Sequence, residues 1–328
     1  LSLFNSGTLL TKSLIALLIK WGRFPLLLWV VIDTFRDTRR IVKAVCVFLF
    51  GVTLVGLTVF TQKFLGFEFL RGRSSGGISS PSIGPFNNPN YLAAYLACVI
   101  PIVLSFGLWK WKRVAIKLVL FLIFGLLILA SFWTVSRGGW LGLIAGLIFV
   151  ILLTSYHRIK NFFWLLFWFN YFFLMPLIMI VLFFYKNNSE RLILVHGALR
   201  MIKEHPLLGI GIGTFMDHCA LYSKSPLVYY AHNCYLQMWA ESGILSLLSF
   251  LSLFGYIFYM SIKVSLRISR SLNYFILIGL TAGLLGFLVN SFFEVSLYSF
   301  QLGFLFWVVL GLTVTLNVKL NQEPNLKS

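Results

Sequence analysis

Long apolar runs almost free of charge recur along this chain, and no other feature constrains its fold as strongly. They fall at Val42–Phe60, Tyr91–Leu108, Leu118–Val135, Trp140–Tyr156, Phe162–Tyr185, Tyr235–Ile262, Tyr274–Val289 and Phe300–Leu316. Each is close to the roughly 20 residues that cross a bilayer as a helix. Helices keep their backbone hydrogen bonds internal, which hydrocarbon demands. An all-α polytopic transmembrane helix bundle follows. Leu9–Ile32 is apolar too, but Lys20 and Arg23 interrupt it, so it reads either as one tilted span with snorkelling cations or as two short pieces. Composition agrees: 59% of residues are apolar and 11% charged, against about 25% charged in soluble domains. Residues 1–328 are read as a single membrane domain. The chain opens Leu1-Ser2-Leu3-Phe4 without methionine, so further spans are expected upstream of it.

The basic residues orient the bundle. If the spans alternate, Arg36, Arg39, Arg40, Lys43, Lys110, Lys112, Arg113, Lys117, Arg158, Lys160, Lys263, Arg267 and Arg270 share one side with the tail. Excess Lys and Arg in short loops marks the cytoplasmic side. This bias accounts for most of the +18 net charge, and no nucleic-acid partner is expected. Two longer stretches then face outward, near Thr61–Asn90 and Lys186–Asn233. The second, a larger and partly helical outer loop, carries His196, His205, His218 and His232. Long ordered loops are usually functional, so any chemistry is expected outside.

Three residues stand out on physical grounds. Ser189-Glu190-Arg191 opens a helical pattern that His205-Pro206 ends. Arg191 there lies beside free backbone N–H groups, an arrangement suited to an anion; the alternative is a solvated surface arginine. Arg137, in Ser136-Arg137-Gly138-Gly139-Trp140, sits at the outer membrane boundary. Charge at that depth is paired, functional or merely snorkelling, and the glycines let a backbone or ligand approach closely. Guanidinium forks suit phosphate, so Arg137 and Arg191 together fit a diphosphate. His232 stands where the outer loop re-enters the membrane; it reads as a general base or as a helix-start hydrogen-bonding residue.

Other patterns exclude chemistry. Gly209-Ile210-Gly211-Ile212-Gly213 lacks dinucleotide-loop spacing and reads as a tight turn. The histidines show no metal-ligand spacing, so neither a metal nor a cofactor is expected. Cys46 and Cys98 lie in apolar runs, whereas Cys219 and Cys234 share the outer loop, where a disulfide is an open option.

Several segments together resemble the O-antigen ligase and O-antigen polymerase-like membrane proteins. Phe86-Asn87-Asn88-Pro89-Asn90-Tyr91-Leu92-Ala93 is similar to that family's NPN-x-LA segment, and Ser136-Arg137-Gly138-Gly139-Trp140 to its SRG-x-W element. Arg191 precedes His205-Pro206-Leu207-Leu208-Gly209-Ile210-Gly211-Ile212-Gly213-Thr214-Phe215, similar to HPL-x-G-x-G-x-GTF. Then come Ala231-His232-Asn233-Cys234-Tyr235-Leu236-Gln237 and Glu241-Ser242-Gly243, resembling HN-x-YLQ and E-x-G. The resemblance implies glycosyl transfer on the outer face of the inner (plasma) membrane, from an undecaprenyl-diphosphate-linked glycan to a glycan or glycolipid acceptor. It implies that Arg137 and Arg191 hold the diphosphate and that His232 acts on the acceptor hydroxyl. Asn90, Asn233 and Glu241, polar members of the same elements, are expected to bind substrate. Other polysaccharide-assembly proteins are conceivable partners beside the bilayer. The outer loop is short for a ligase that takes a bulky lipid acceptor, which favours a polymerase or a ligase for another acceptor.

Two rival readings stand beside this one: a transporter of a small anionic solute, and a non-catalytic subunit of an assembly complex. A transporter places ionisable groups near mid-span, whereas the eight uninterrupted spans, Val42–Phe60 onward, are nearly charge-free at their centres.

Overall fold

The computed structural model describes residues 7–74, 77–155, 189–224, 226 and 229–322. Along the chain run α1 (Leu10–Ile15), a π-helical turn (Ala16–Trp21), α2 (Arg23–Thr34), α3 (Thr38–Leu65), the strands β1 (Phe67–Glu68) and β2 (Arg73–Ser74), α4 (Pro89–Gly107), α5 (Val114–Trp133), α6 (Arg137–Ser155), α7 (Ser189–Glu204), α8 (Phe215–Ser223), α9 (Cys234–Arg267), α10 (Leu272–Asn290) and α11 (Phe300–Gln322). Eight helical segments among the described residues are long and apolar enough to cross a membrane. The fold is therefore the all-α, multi-pass membrane bundle expected. The first span is settled as one segment, Leu10–Thr34, rather than two pieces. The expected span at 162–185 lies outside the described residues.

The chain divides into two compact units: Leu1–Leu27, Ile159–Ile257 and Ser291–Phe300 form the first, and Leu28–Arg158, Phe258–Asn290 and Gln301–Ser328 the second. In the second, α4 and α10 are central and α5 is peripheral, with 78%, 78% and 22% of their apolar windows buried. Small residues set the packing. A Cβ added at Gly139 would lie 2.4 Å from Ala93 Cβ, and one at Gly142 would lie 2.3 Å from Gly286 O. The backbones of α4, α6 and α10 thus meet closely, the usual means of helix association in lipid, where burial gives no driving force. Gly139, one of the two glycines expected to admit another backbone or a ligand, admits α4.

Two cations, Lys63 at the end of α3 and Arg73 in β2, hold described parts of the connection between α3 and α4. Lys63 Nζ donates to Ile78 O (2.8 Å) and Ser80 O (2.6 Å). Arg73 pairs with Glu68 at 3.3 Å and donates to Gly84 O and Phe86 O. Ser82 N donates to Trp133 O at 2.8 Å, joining this loop to the end of α5. At the opposite helix ends, Tyr274 Oη donates to Leu153 O at 2.8 Å. Both contacts are what alternating spans require.

The first unit contains α1, α7, α8 and the start of α9. Leu194, Ala198, Met201, Ile202, Phe215 and Ala240 share its core. Helix α7 ends at Glu204, just before His205-Pro206, as proline's steric demand predicts.

Candidate active site

In the first unit, the turn between α10 and α11 is the meeting point of two residues singled out from sequence. It includes a short 3-10 turn, Ser296–Tyr298. Arg191, on the first turn of α7, donates from Nη1 to Phe293 O at 3.4 Å. His232 Nδ1 lies 3.2 Å from Glu294 Oε1, with side-chain exposures of 18% and 5%. An ionised carboxylate can only accept, so Nδ1 is the donor of this pair, and in a neutral ring Nε2 then carries the lone pair.

Several contacts fix this imidazole. The His232 backbone is left-handed, φ 51°, a conformation that costs a non-glycine residue on the order of 1–3 kcal/mol. Tyr229 stacks on the ring, centroids 5.2 Å apart and planes 18° from parallel. The next residue, Asn233, caps α9: its Oδ1 accepts from Tyr235 N and Leu236 N, each at 3.0 Å. Cys234 N donates to Ser291 O (2.8 Å) and Cys234 Sγ to Glu294 O (3.3 Å). Cys219 and Cys234 are both buried and are not joined in a disulfide.

Glu294 is mostly buried, which by itself raises a carboxyl. The hydrogen bond and charge of His232, the Val295 N–H and the Arg191 charge outweigh that and hold it below the ordinary carboxylate value. Sequence reading missed this residue. The available signal was a lone carboxylate in the short Ser291–Ser299 connection, in a chain with only nine acidic residues.

Glu241 performs a different task. It is 1% exposed, and its oxygens accept from Gly213 N (3.1 Å), Phe215 N (3.3 Å) and Gln237 Nε2 (3.3 Å). Gln237 Oε1 accepts in turn from Ala231 N at 3.2 Å, so the two side chains, one helical turn apart, bracket the His232 segment. Backbone contacts complete the clasp. Ile210 N and Gly211 N donate to Ala240 O and Glu241 O, and Ile244 N donates to Pro206 O. Gly209 (φ 72°) and Gly243 (φ 80°) allow it, since a Cβ on either would strike the facing backbone at 2.4 Å or less. The glycine-rich stretch is the tight turn expected, and it packs on the Glu241-Ser242-Gly243 element.

The remaining sequence-selected residues lie in the second unit. Arg137 begins α6 with its side chain exposed, and Ser136 Oγ accepts from Gly139 N at 3.4 Å in the manner of an N-cap. Asn90 lies in the first turn of α4, half-buried. The preceding Asn88 caps that helix, its Oδ1 accepting from Tyr91 N at 2.8 Å, with Pro89 at the first helical position.

Fold and site together define a multi-pass membrane protein with a polar, histidine-bearing site at one end of its helices. Residues 122–251 match the family model described as O-antigen ligase, a match over part of the chain that supports the O-antigen ligase-like resemblance of its motifs. The matched stretch includes Arg137, Arg191, His232 and Glu241 but stops short of Glu294. No curated protein matches the chain.

Proposed function

We propose that this chain is a glycosyltransferase of the ligase or polymerase type, acting on the outer face of the inner membrane without a metal. Its donor is a glycan carried on undecaprenyl diphosphate, and its acceptor a glycan or glycolipid hydroxyl. The observation that carries the reading is the convergence of Arg191 and His232 on the Glu294 turn. A base with its far nitrogen anchored by a carboxylate, beside a guanidinium, suits hydroxyl attack on a carbon whose leaving group is anionic.

In this mechanism Nε2 of His232 takes the acceptor hydroxyl proton as its oxygen bonds to the anomeric carbon. The bond from that carbon to the diphosphate oxygen breaks, and the lipid diphosphate leaves with the electron pair. Glu294 stabilises the imidazolium that forms. Arg191 and Arg137 neutralise the growing diphosphate charge, Asn90 is a further substrate-binding position, and Asn233 and Glu241 hold the backbone on either side of His232. The basic clusters between spans support the orientation, because they leave the His232 end of α9 outside.

Glycan transfer from a purified polyprenyl-diphosphate donor tests the reading. The wild type is expected to transfer and His232→Ala to lose the reaction; comparable rates would overturn it. Arg137→Lys keeps a charge but not the bidentate fork, and is expected to lower the rate about tenfold at unchanged membrane levels. A rate near that of the wild type would remove Arg137 from the diphosphate site.

A further inference from the structure

A cavity of about 320 Å³ lies wholly within the first unit, and its wall includes Lys12, Ile19, Lys20, Met216, Tyr230 and Glu241. Lys20 is its unusual member. It sits well inside the apolar Leu10–Thr34 span, where an ionisable side chain is costly and marks a functional position by default. Its turn is π-helical, Ala16–Trp21, a distortion that concentrates at functional sites. Its ammonium lies 5.3 Å over the Tyr298 ring, and among the described residues it makes no hydrogen bond or ion pair. Lys12, by contrast, is engaged by Asp217 at 2.6 Å.

The wall's chemistry selects a ligand class. The Lys20 and Glu241 charges offset each other, as do those of Lys12 and Asp217, so neither an anion nor a cation is favoured. Lys20 and the Tyr230 hydroxyl offer polar contacts to a ligand, Glu241 is occupied by its own donors, and Ile19 and Met216 form an apolar flank. A sugar ring matches this pattern, with hydroxyls around its edge and C–H groups on its face. The volume equals roughly ten waters at about 30 Å³ each, the scale of one ring rather than a chain. Two ring contacts link the cavity to the histidine: Tyr230 lines the cavity and lies 6.0 Å from the Tyr229 ring, which stacks on His232 at 5.2 Å.

We propose that this cavity is a subsite for one uncharged sugar ring of the glycan, with Lys20 as its main donor. The assignment rests on the glycosyl-transfer reading. Two sources supply such a ring, the first sugar of the donor and the terminal sugar of the acceptor.

The purified full chain, Lys20→Met and Tyr230→Phe are compared, with KM measured separately for each substrate. Lys20→Met is expected to raise one KM about tenfold, the loss of a charged hydrogen bond, with a smaller change in kcat. A rise in acceptor KM assigns the ring to the acceptor, and a rise in donor KM assigns it to the donor. Unchanged KM for both substrates overturns the proposal, as does a lowered Tm with KM unaltered. Should Lys20→Met fail to reach the membrane, Tyr230→Phe decides by the same criteria. Calorimetric titration with methyl pyranosides reads the subsite without turnover. A His232→Ala enzyme that still transfers would sink the glycosyl-transfer reading, whereas pyranoside binding that Lys20→Met leaves intact would sink only the subsite.

Discussion

Replacing Glu294 with alanine is expected to cut glycan transfer by about 10²–10⁴-fold, close to the effect of removing His232 itself. The carboxylate has two tasks that substitutions separate. Oε1 lies 3.2 Å from His232 Nδ1 and accepts from Val295 N at 3.1 Å, which orients the ring and fixes its tautomer. Its negative charge, favoured by those same partners and by Arg191, is the group that in the proposed reaction stabilises the imidazolium formed as the hydroxyl is deprotonated. Alanine removes both. Glutamine retains an oxygen that can accept from both donors but lacks the charge, so Glu294→Gln is expected to fall between wild type and Glu294→Ala. Residues acting as a unit give non-additive losses, so His232→Ala/Glu294→Ala should be no slower than His232→Ala alone. A double variant whose losses multiply would show that Glu294 acts independently of the imidazole.

The second large effect concerns folding. Gly243→Ala is expected to destabilise the chain by more than about 3 kcal/mol, combining backbone strain with steric overlap. At φ 80° and ψ 172° the position lies in a region reached almost solely by glycine. The new Cβ would stand 2.0 Å from Leu207 O, a backbone atom that cannot move aside as a flexible side chain can. Gly255, in the helix that follows the non-helical Gly243, is the control, since a Cβ there meets nothing within 4 Å. Gly255→Ala is expected to leave Tm unchanged or raise it slightly, in line with the ~0.5–1 kcal/mol helix preference for alanine. Melting in detergent checks both variants, and a Gly243→Ala chain that melts with the wild type would disprove the close packing of the two motifs.

Much of this fold is legible in the sequence because a bilayer leaves few alternatives: a long run without charge has to be a helix. Val114–Trp133 is found within a few residues of its apolar run for that reason. The continuity of Leu10–Thr34 was not legible, since hydropathy cannot distinguish a π-helical turn around Lys20 from a break. The site divides similarly. Arg191 and His232 were conspicuous as polar groups at the edge of apolar sequence. Glu294 was not, because its role arises from a contact 62 residues away along the chain, and no local pattern encodes that pairing. Glu241 and Asn233 were legible as motif members. Their hydrogen bonds to backbone N–H groups emerge only once the turn and helix start are built.

Glu241 accepts from Phe215 N and Gln237 Oε1 from Ala231 N, and the two side chains are hydrogen-bonded to each other, so one patch of α9 moors both the start of α8 and the residue before His232. Loosening either mooring therefore reaches the imidazole through the backbone, without any change to the groups that touch the ring.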